Sequence, residues 1–308
     1  MAFTIDVDEG KWSKQVLETL LVDRTTNRNI IWGTDNYEVL GKDYYSHFPI
    51  LINLIIDKNS NVIQPRVLKT KEKQGNRTKE RAEVFTPSWI CNAQNNLVDN
   101  AWFNRECVFN RECEKSWEVI TSKIEFPKLK SKTWEKYVDE RRMEVTCGEA
   151  PYLVSRYDTV SGEAIELKNR IGVLDRKMRI VSENTSTEKD WLKWAERAFQ
   201  SVYGFEFQGD NLLIARENLL ISYCDYMIDK LHREPTEKEL LNIATIISWN
   251  LWQMDGLTYT IPYSKPVDFS EQISLFDYED DKKALCIIKD WRARKITTFQ
   301  ELVNGGDR

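Results

Sequence analysis

The chain is 308 residues long and carries 44 basic and 49 acidic side chains, for a net charge of −5. This length allows one large domain or two smaller ones with a substantial core, and the acidic balance excludes a surface that coats nucleic acid throughout, while leaving room for a local basic patch. Six cysteines without Cys-x-x-Cys spacing and two histidines argue against a zinc site or a disulfide framework and favour a reducing cytoplasm.

The sequence contains no recognisable export signal or membrane span. Met1 to Gly10 is acidic and lacks the apolar core of a signal peptide. The longest apolar run, Phe48 to Ile56, is interrupted by Asn53 and is too short to cross a bilayer. We therefore expect a cytoplasmic protein that does not enter the membrane.

Residues 1–82 are predicted to form an α+β extension. Apolar residues spaced by three and four predict a helix over Lys11 to Val22. Ile30 to Trp32, Ile50 to Ile56 and Val62 to Leu68 have the composition of short strands, and the polar residues between the last two indicate a hairpin.

Arg66 to Arg81 is the one strongly basic segment, with seven basic and two acidic residues. Such a run is either a solvated loop or a surface for nucleic-acid phosphates, because lysine and arginine neutralise the phosphate backbone regardless of base sequence. Under the second interpretation the predicted contacts to double-stranded DNA are Lys71, Lys73, Arg77 and Lys79.

The basic segment leads into Glu83-Val84-Phe85-Thr86-Pro87. Thr86 is placed to cap a helix whose first residue is Pro87. The apolar residues predicted for the buried side of that helix are Trp89, Leu97, Val98, Ala101 and Trp102. The pentapeptide resembles the amino-terminal cofactor motif of adenine-N6 DNA methyltransferases of restriction–modification systems, which implies that Phe85, Thr86 and Pro87 contact S-adenosylmethionine.

Met143 to Ala150 resembles the first strand of that family and the glycine-containing turn after it. Glu144 stands where the family has an acid, and Cys147-Gly148 matches the turn, so the resemblance implies that Glu144 and Gly148 contact the cofactor. Ala150 replaces a glycine, and a small residue still permits close approach of a ligand.

Asp158 together with Glu166-Leu167-Lys168 supports a competing interpretation. An acid followed by Glu-x-Lys is the outline of a metal-dependent nuclease site, in which carboxylates hold Mg²⁺ and the lysine stabilises charge. Because this short outline occurs by chance in many charged proteins, we predict no metal site.

Ser201 to Phe207 reads as a short buried strand that delivers Glu206 to its carboxyl end. Capping sequences at Thr187 and Thr236 predict helices on either side, and apolar spacing predicts a helix over Asn211 to Met227. In nucleotide-binding α/β folds, an acid at such a strand end accepts hydrogen bonds from the ribose hydroxyls. The stretch is similar to the second strand and acid of the methyltransferase family.

Two later segments concern the adenine ring and the methyl transfer. Met254-Asp255-Gly256-Leu257 resembles the family segment whose aspartate holds the adenine amino group of the cofactor, which implies that role for Asp255. The family's catalytic Asn-Pro-Pro-Tyr tetrapeptide is missing. Ala284 to Ile288 is the best candidate for the strand that would carry it, and Asp290 and Trp291 then supply one acceptor and one aromatic ring for a flipped base.

The predicted fold class is α/β, with a partial Rossmann-like methyltransferase core over residues 83–308. Too few residues follow Arg292 for the three further strands of a complete methyltransferase sheet. The resemblance implies S-adenosylmethionine-dependent adenine-N6 methylation of double-stranded DNA, in a restriction–modification system or a related phage-defence or counter-defence system.

The alternative is a catalytically inactive relative that binds DNA or a partner protein without methyl transfer. The predicted protein partner is a restriction, specificity or second methyltransferase-type subunit, or a second copy of this chain.

Overall fold

The computed structural model describes residues 11–69, 85–264 and 285–305 of the chain. In chain order its helices and strands are α1 (Lys14–Leu21), α2 (Ser88–Phe103), β1 (Asn110–Cys113), β2 (Ser116–Val119), α3 (Trp134–Asp139), β3 (Arg142–Val145), α4 (Val173–Asn184), α5 (Glu188–Phe199), β4 (Val202–Glu206), α6 (Gly209–Leu231), α7 (Glu237–Asn250), β5 (Leu251–Gln253), β6 (Ile287–Asp290), β7 (Lys295–Thr298) and α8 (Phe299–Val303).

A three-stranded parallel sheet organises the molecule. β4 is its middle strand, and β3 and β5 pair with it on either side. Parallel neighbours need a crossover connection, and the chain supplies α4 and α5 between β3 and β4, then α6 and α7 between β4 and β5. Every residue of β4 is buried, as expected for a parallel strand covered on both faces. The mixed helix and parallel-sheet architecture agrees with the α/β prediction.

The capping sequences begin helices where the sequence predicts them. The Thr187 hydroxyl accepts a hydrogen bond of 3.1 Å from the Asp190 N–H at the start of α5. Thr236 and Glu239 form a reciprocal capping box at the start of α7. Helices α1 and α6 also lie where their apolar spacing predicts. The buried residues of both helices belong to one hydrophobic core.

The strands predicted in the amino-terminal extension are wrong. Ile52–Leu54, Asp57–Asn59 and Arg66–Leu68 are single 3-10 turns, and the stretch from Ile30 to Trp32 makes only an isolated bridge from Ile31 to Pro49. Asp57, in the segment predicted as the hairpin turn, has a positive φ of 54°. The apolar side chains of this region are buried by packing on the core, which does not require a strand.

The described part of the extension shares its core with the rest of the chain. The Arg216 guanidinium, fully buried on α6, donates to the carbonyl oxygens of Leu20 and Val22. The Gln253 side chain at the end of β5 both donates to and accepts from the Ile31 backbone, at 2.9 and 2.8 Å. Residues 11–69 are therefore built onto the sheet, and the predicted boundary at residue 82 falls outside the described residues.

The predicted buried side of α2 is largely wrong. Leu97, Val98 and Ala101 are exposed, Trp89 is partly so, and among the residues predicted only Trp102 is buried. Much of the buried side is polar instead and includes Asn92, Asn95, Asn96 and Asp99. The reason lies in α4, where the fully buried Arg176 donates to Asp99, Asn92 and Asn96 at 2.6, 2.9 and 2.8 Å.

The predicted fourth strand of the parallel sheet is also wrong. β6 pairs antiparallel with β7 to form a separate hairpin, because a four-residue turn after Asp290 returns the chain directly. The hairpin and α8 cover one face of the parallel sheet, where Ile288 and Phe299 pack against Phe205 and Trp252. Within the described residues, no helix is both long and apolar enough to cross a membrane.

Candidate functional site

A cavity of about 410 Å³ opens at the carboxyl ends of β3 and β4. In open α/β sheets, ligands bind outside this edge of the strands. Five of the seven residues predicted to contact a cofactor line it: Phe85, Thr86, Glu144, Gly148 and Glu206. The remaining lining residues are Gly33, Thr146, Cys147, Pro151, Tyr152, Phe207, Gln208 and Asn211.

The turn after β3 forms one wall of the cavity. Thr146, Gly148 and Ala150 have positive φ angles of 51°, 52° and 64°, so the chain reverses sharply. A Cβ on Gly148 would make an ordinary van der Waals contact of 3.4 Å with the Phe85 ring, so glycine suits this position through its positive φ. Glu149 points away from the cavity, since its carboxylate accepts from the Arg66 N–H at 2.6 Å and the Tyr157 hydroxyl at 2.7 Å.

Glu206 joins the turns that follow β3 and β4. One carboxylate oxygen accepts from the Gly148 N–H at 2.9 Å, and the other accepts from the Phe207 and Gln208 N–H groups at 3.0 and 3.1 Å. Burial raises the pKa of Glu206, and these backbone hydrogen bonds oppose that effect. A carboxylate accepts roughly four hydrogen bonds, so Glu206 keeps acceptor capacity for a ligand hydroxyl.

Glu144 is the second buried acid of the cavity. Its carboxylate accepts from the Tyr152 and Leu153 N–H groups at 3.3 and 3.2 Å. Burial raises the pKa of Glu144 well above the ordinary range, and the nearby charge of Glu206 adds to the effect. Among the described lining residues there are two acids and no basic side chain. The cavity therefore offers carboxyl oxygens to hydroxyl donors, and a cation bound there would favour the charged form of both acids.

Phe85, Thr86 and Pro87 form the approach to α2. The expected cap by Thr86 is wrong: Pro87 is extended, with φ −57° and ψ 145°, and the helix begins at Ser88. Asp158 takes the capping role, because its carboxylate accepts from the Ser88 N–H at 2.6 Å. The Phe85 ring stacks under the Arg66 guanidinium, 5.3 Å from its centroid. Pro87 precedes the helix and does not line the cavity.

Asp255 lies in the turn after β5 and does not line the cavity. Its carboxylate accepts from the Leu257 N–H at 2.8 Å and closes its own turn.

The carboxyl ends of β4 and β5 are covered by residues 31–33. The Trp32 carbonyl accepts from the Gly209 N–H at 2.9 Å, and Gln253 donates to the Phe207 carbonyl at 2.8 Å.

Gly33 and Gln208 are cavity residues that the sequence analysis missed. Gly33 has a φ of 66°, and a Cβ there would lie 2.5 Å from the Phe207 carbonyl oxygen. The glycines of Trp32-Gly33 and Gln208-Gly209 were the available signal, since each marks a close approach of two backbones. The contact between these two segments depends on the tertiary structure, and no local sequence pattern predicts it.

The structure does not bring Asp290 and Trp291 to the cavity. Asp290 pairs with Arg141, which precedes β3, at 3.1 Å, and the Trp291 indole donates to Asn250, which precedes β5, at 2.7 Å. Both residues thus lie at the amino-terminal edge of the parallel sheet. The cavity lies at the opposite edge, about 10–15 Å away at roughly 3.3 Å per strand residue.

The first residues of the basic segment are part of the fold. The Lys69 ammonium lies 3.3 Å from the Asp210 carboxylate at the start of α6, and Asp210 also accepts from the Tyr37 hydroxyl at 2.7 Å. The four residues predicted to contact DNA, Lys71, Lys73, Arg77 and Lys79, lie outside the described residues.

The nuclease outline is not assembled into a site. Asp158 accepts from the Val160 and Ser161 N–H groups at 2.9 and 2.7 Å as well as from Ser88. Burial acts to raise the pKa of Asp158, but these hydrogen bonds outweigh it and lower the pKa. Glu166 forms an exposed ion pair with Lys168 at 2.9 Å. In the described part of the chain, no three histidine, cysteine, aspartate or glutamate side chains are grouped to hold a metal.

No protein-family model matches the chain, and no curated protein or solved structure is significantly similar to it. The functional assignment therefore depends on the cavity and on the motifs that line it.

Proposed function

We propose that the chain binds S-adenosylmethionine, or a closely related cationic nucleoside, in the cavity at the carboxyl ends of β3 and β4. The observation that carries this proposal is the pair of buried acids, Glu144 and Glu206, in a cavity without a described basic side chain. Such a lining disfavours the phosphates of ATP or NAD and favours a ligand with hydroxyl and cationic groups. A volume of about 410 Å³ suits a ligand of this size.

In this proposal, different lining residues contact different parts of the ligand. Glu206 accepts a hydrogen bond from the ribose, since it sits at a strand end and retains acceptor capacity. Glu144 lies near the cationic amino acid part, and Phe85 offers an aromatic face. The parallel sheet would then be a partial Rossmann-like methyltransferase core, as the resemblance to the adenine-N6 family implies.

We propose further that the chain does not transfer a methyl group by itself. An adenine amine is a poor nucleophile, and its activation needs fixed acceptors next to the methyl donor. Asp290 and Trp291 lie at the other edge of the sheet and are engaged by Arg141 and Asn250. The chain would thus act as a cofactor-binding relative of DNA methyltransferases, with double-stranded DNA and a second subunit as its partners.

Isothermal calorimetry with S-adenosylmethionine, S-adenosylhomocysteine and ATP tests the ligand. We expect the cationic methionine compound to bind more tightly than its neutral thioether, and ATP not to bind. Glu206→Gln should weaken binding at least tenfold, because a hydrogen bond to a charged group contributes about 1.5–3 kcal/mol. Glu166→Gln, at an exposed ion pair, is the control. Absence of binding by the unaltered protein, or tighter binding of ATP, would overturn the proposal.

A further inference from the structure

A cavity of about 460 Å³ lies between the β1–β2 hairpin, the 3-10 turn Leu167–Asn169 and the helices α4 and α6. We call it the hairpin cavity, and it shares no lining residue with the cavity at the carboxyl ends of β3 and β4. The Trp117 indole donates to the Asn169 carbonyl at 2.9 Å. The Ile120 carbonyl, just after β2, accepts from Arg179 of α4 at 2.6 Å. The hairpin is therefore anchored to the elements that complete the cavity.

One side of the hairpin cavity is apolar. Val119, Ile120 and Leu167 line it, and each remains partly exposed. The ring of the buried Phe109 also lines it, with the Arg176 guanidinium 5.1 Å from the ring centroid. Covering partly exposed apolar side chains in a concave site favours binding, and the volume suits a small organic molecule.

The hairpin cavity contains one cation that stands apart from the others. Lys230 is partly buried, and its ammonium donates to the Ser182 carbonyl at 2.7 Å. An ammonium has three N–H donors, and within the described ranges this is its only hydrogen bond. The other four cations of the lining each have an acid within 3 Å, in the pairs Lys168–Glu166, Arg170–Asp225, Arg176–Asp99 and Arg179–Glu183. Lys230 has no such counter-ion in the part of the chain that the structure describes.

Two arginines of the lining also have N–H groups to spare. Arg179 uses Nε and Nη2 for Glu183 and two carbonyls, and its Nη1 has no acceptor among residues 11–69, 85–264 and 285–305. The buried Arg170 donates through Nη2 to Asp225 at 2.6 Å, whereas its Nε and Nη1 lack an acceptor in the same ranges. Because burial makes N–H groups without acceptors costly, the wall favours a ligand that brings negative charge.

The acids of the lining do not supply that charge. Asp175 already accepts four hydrogen bonds, which is the capacity of a carboxylate. Glu183 is paired with Arg179 and also accepts from the Ile124 N–H at 2.9 Å. Asp229 is exposed at the rim, and adjacent residues of a helix do not face each other, so it does not take the place of a counter-ion for Lys230.

We propose that the hairpin cavity binds a small organic acid, a molecule with an apolar ring or chain and one anionic group. The apolar part lies against Val119, Ile120 and Leu167. The anionic group accepts hydrogen bonds from Lys230 and Arg179. This is a second ligand site, and it does not depend on what the cavity at the carboxyl ends of β3 and β4 binds.

The test uses two fluorescent dyes that share one aromatic skeleton, with the full chain as target. Anilinonaphthalene sulfonate carries an anionic group, and phenylnaphthylamine lacks it. We expect the sulfonate to bind at least tenfold more tightly, because only the sulfonate accepts charge-assisted hydrogen bonds. Naphthoate and naphthyl phosphate then compete with the bound dye, and the stronger competitor identifies the head group as a carboxylate or a phosphate. Equal binding of the two dyes, or displacement by neither competitor, would overturn the proposal.

Variants locate the dye on the protein. Lys230→Glu reverses the charge of the cation without a counter-ion, and Val119→Trp fills the apolar side, so each should weaken sulfonate binding at least tenfold. Lys58→Glu makes the same change of net charge at an exposed lysine outside the lining and should bind like the unaltered protein. Molten states expose apolar surface and bind this dye, so misfolding cannot imitate the expected loss. Equal binding to the Lys230→Glu and Lys58→Glu variants would show that the dye occupies another site and that the proposal is wrong.

Discussion

Glu144 and Glu206 place two carboxyl groups in one buried cavity, where loss of hydration disfavours the charged form of each. Burial raises the pKa of both groups. The folded chain therefore holds protons at these positions at pH values where the unfolded chain has released them. Their contribution to stability is most favourable at low pH and declines as the pH rises from the ordinary carboxyl range through the raised pKa of each group.

Glu144→Gln should reveal this decline. The variant has no charge to desolvate, so its melting temperature should increase relative to that of the unaltered protein as the pH is raised from about 4 to about 8. Thermal melts of both proteins across this range measure the difference. Glu166→Gln is the control, since Glu166 lies in an exposed pair. A difference that does not change with pH would contradict the assignment of the raised pKa to Glu144.

The local pattern of a buried strand that ends in an acid predicted the position of Glu206, whereas Gly148 was named only from the resemblance of its turn to the methyltransferase family. Neither the pattern nor the resemblance predicted the orientation of Glu149, which binds the Arg66 N–H and the Tyr157 hydroxyl. The direction of that side chain follows from the positive φ angles at Thr146, Gly148 and Ala150. Of these three residues, only Gly148 is of a type that readily adopts a positive φ.

At the scale of elements, α2 shows how a correct helix can be given the wrong buried face. Its sequence carries an apolar stripe with Leu97 and Val98 and a polar stripe with Asn92, Asn96 and Asp99, both at helical spacing. Hydrophobicity alone predicts that the apolar stripe faces the interior. The buried Arg176 of α4 selects the polar stripe, because an arginine without acceptors in the interior would be far costlier than an exposed leucine.

Asp99→Asn should therefore destabilise the fold strongly. The change is nearly isosteric, but it leaves the Arg176 guanidinium buried without its charged partner and disturbs the bond of 2.8 Å from the Tyr137 hydroxyl. Removing one member of a buried pair costs about 3–5 kcal/mol. Urea denaturation measures this loss. Glu166→Gln, at an exposed pair, should change the free energy of unfolding by less than about 1 kcal/mol. A cost below that level for Asp99→Asn would show that the buried pair contributes little.

At the scale of the whole molecule, the amino-terminal segment and the parallel sheet are one structure. Residues 31–33 lie across the carboxyl ends of β4 and β5. The Gln253 side chain donates hydrogen bonds to the Ile31 and Phe207 carbonyls, and the Gly209 N–H donates to the Trp32 carbonyl. Apolar composition predicted short strands within residues 30–68, and it could not indicate that this region meets residues 207–253. Contacts between segments so far apart in sequence leave no periodicity in either segment.

Gly209→Ala tests the junction. In an isolated helix the change would stabilise by about 1 kcal/mol. Here a Cβ on Gly209 would overlap the Ile31 carbonyl oxygen, so the variant should lose about 1–3 kcal/mol of unfolding free energy. Gly256→Ala is the matched control, because its Cβ would meet only the edge of the Phe205 ring at 3.1 Å. A Gly209→Ala protein more stable than the parent would show that residues 31–33 do not rest on α6.

Glu144 and Tyr152 line both the cavity at the carboxyl ends of β3 and β4 and a second space of about 420 Å³ between β3 and α2, so the two spaces share one wall. A shift of that wall that changes the shape of one space also changes the shape of the other. Ligands bound in the two spaces would therefore be thermodynamically linked. If a ligand in the cavity changes the affinity for a molecule bound in the second space by some factor, that molecule must change the affinity for the ligand by the same factor.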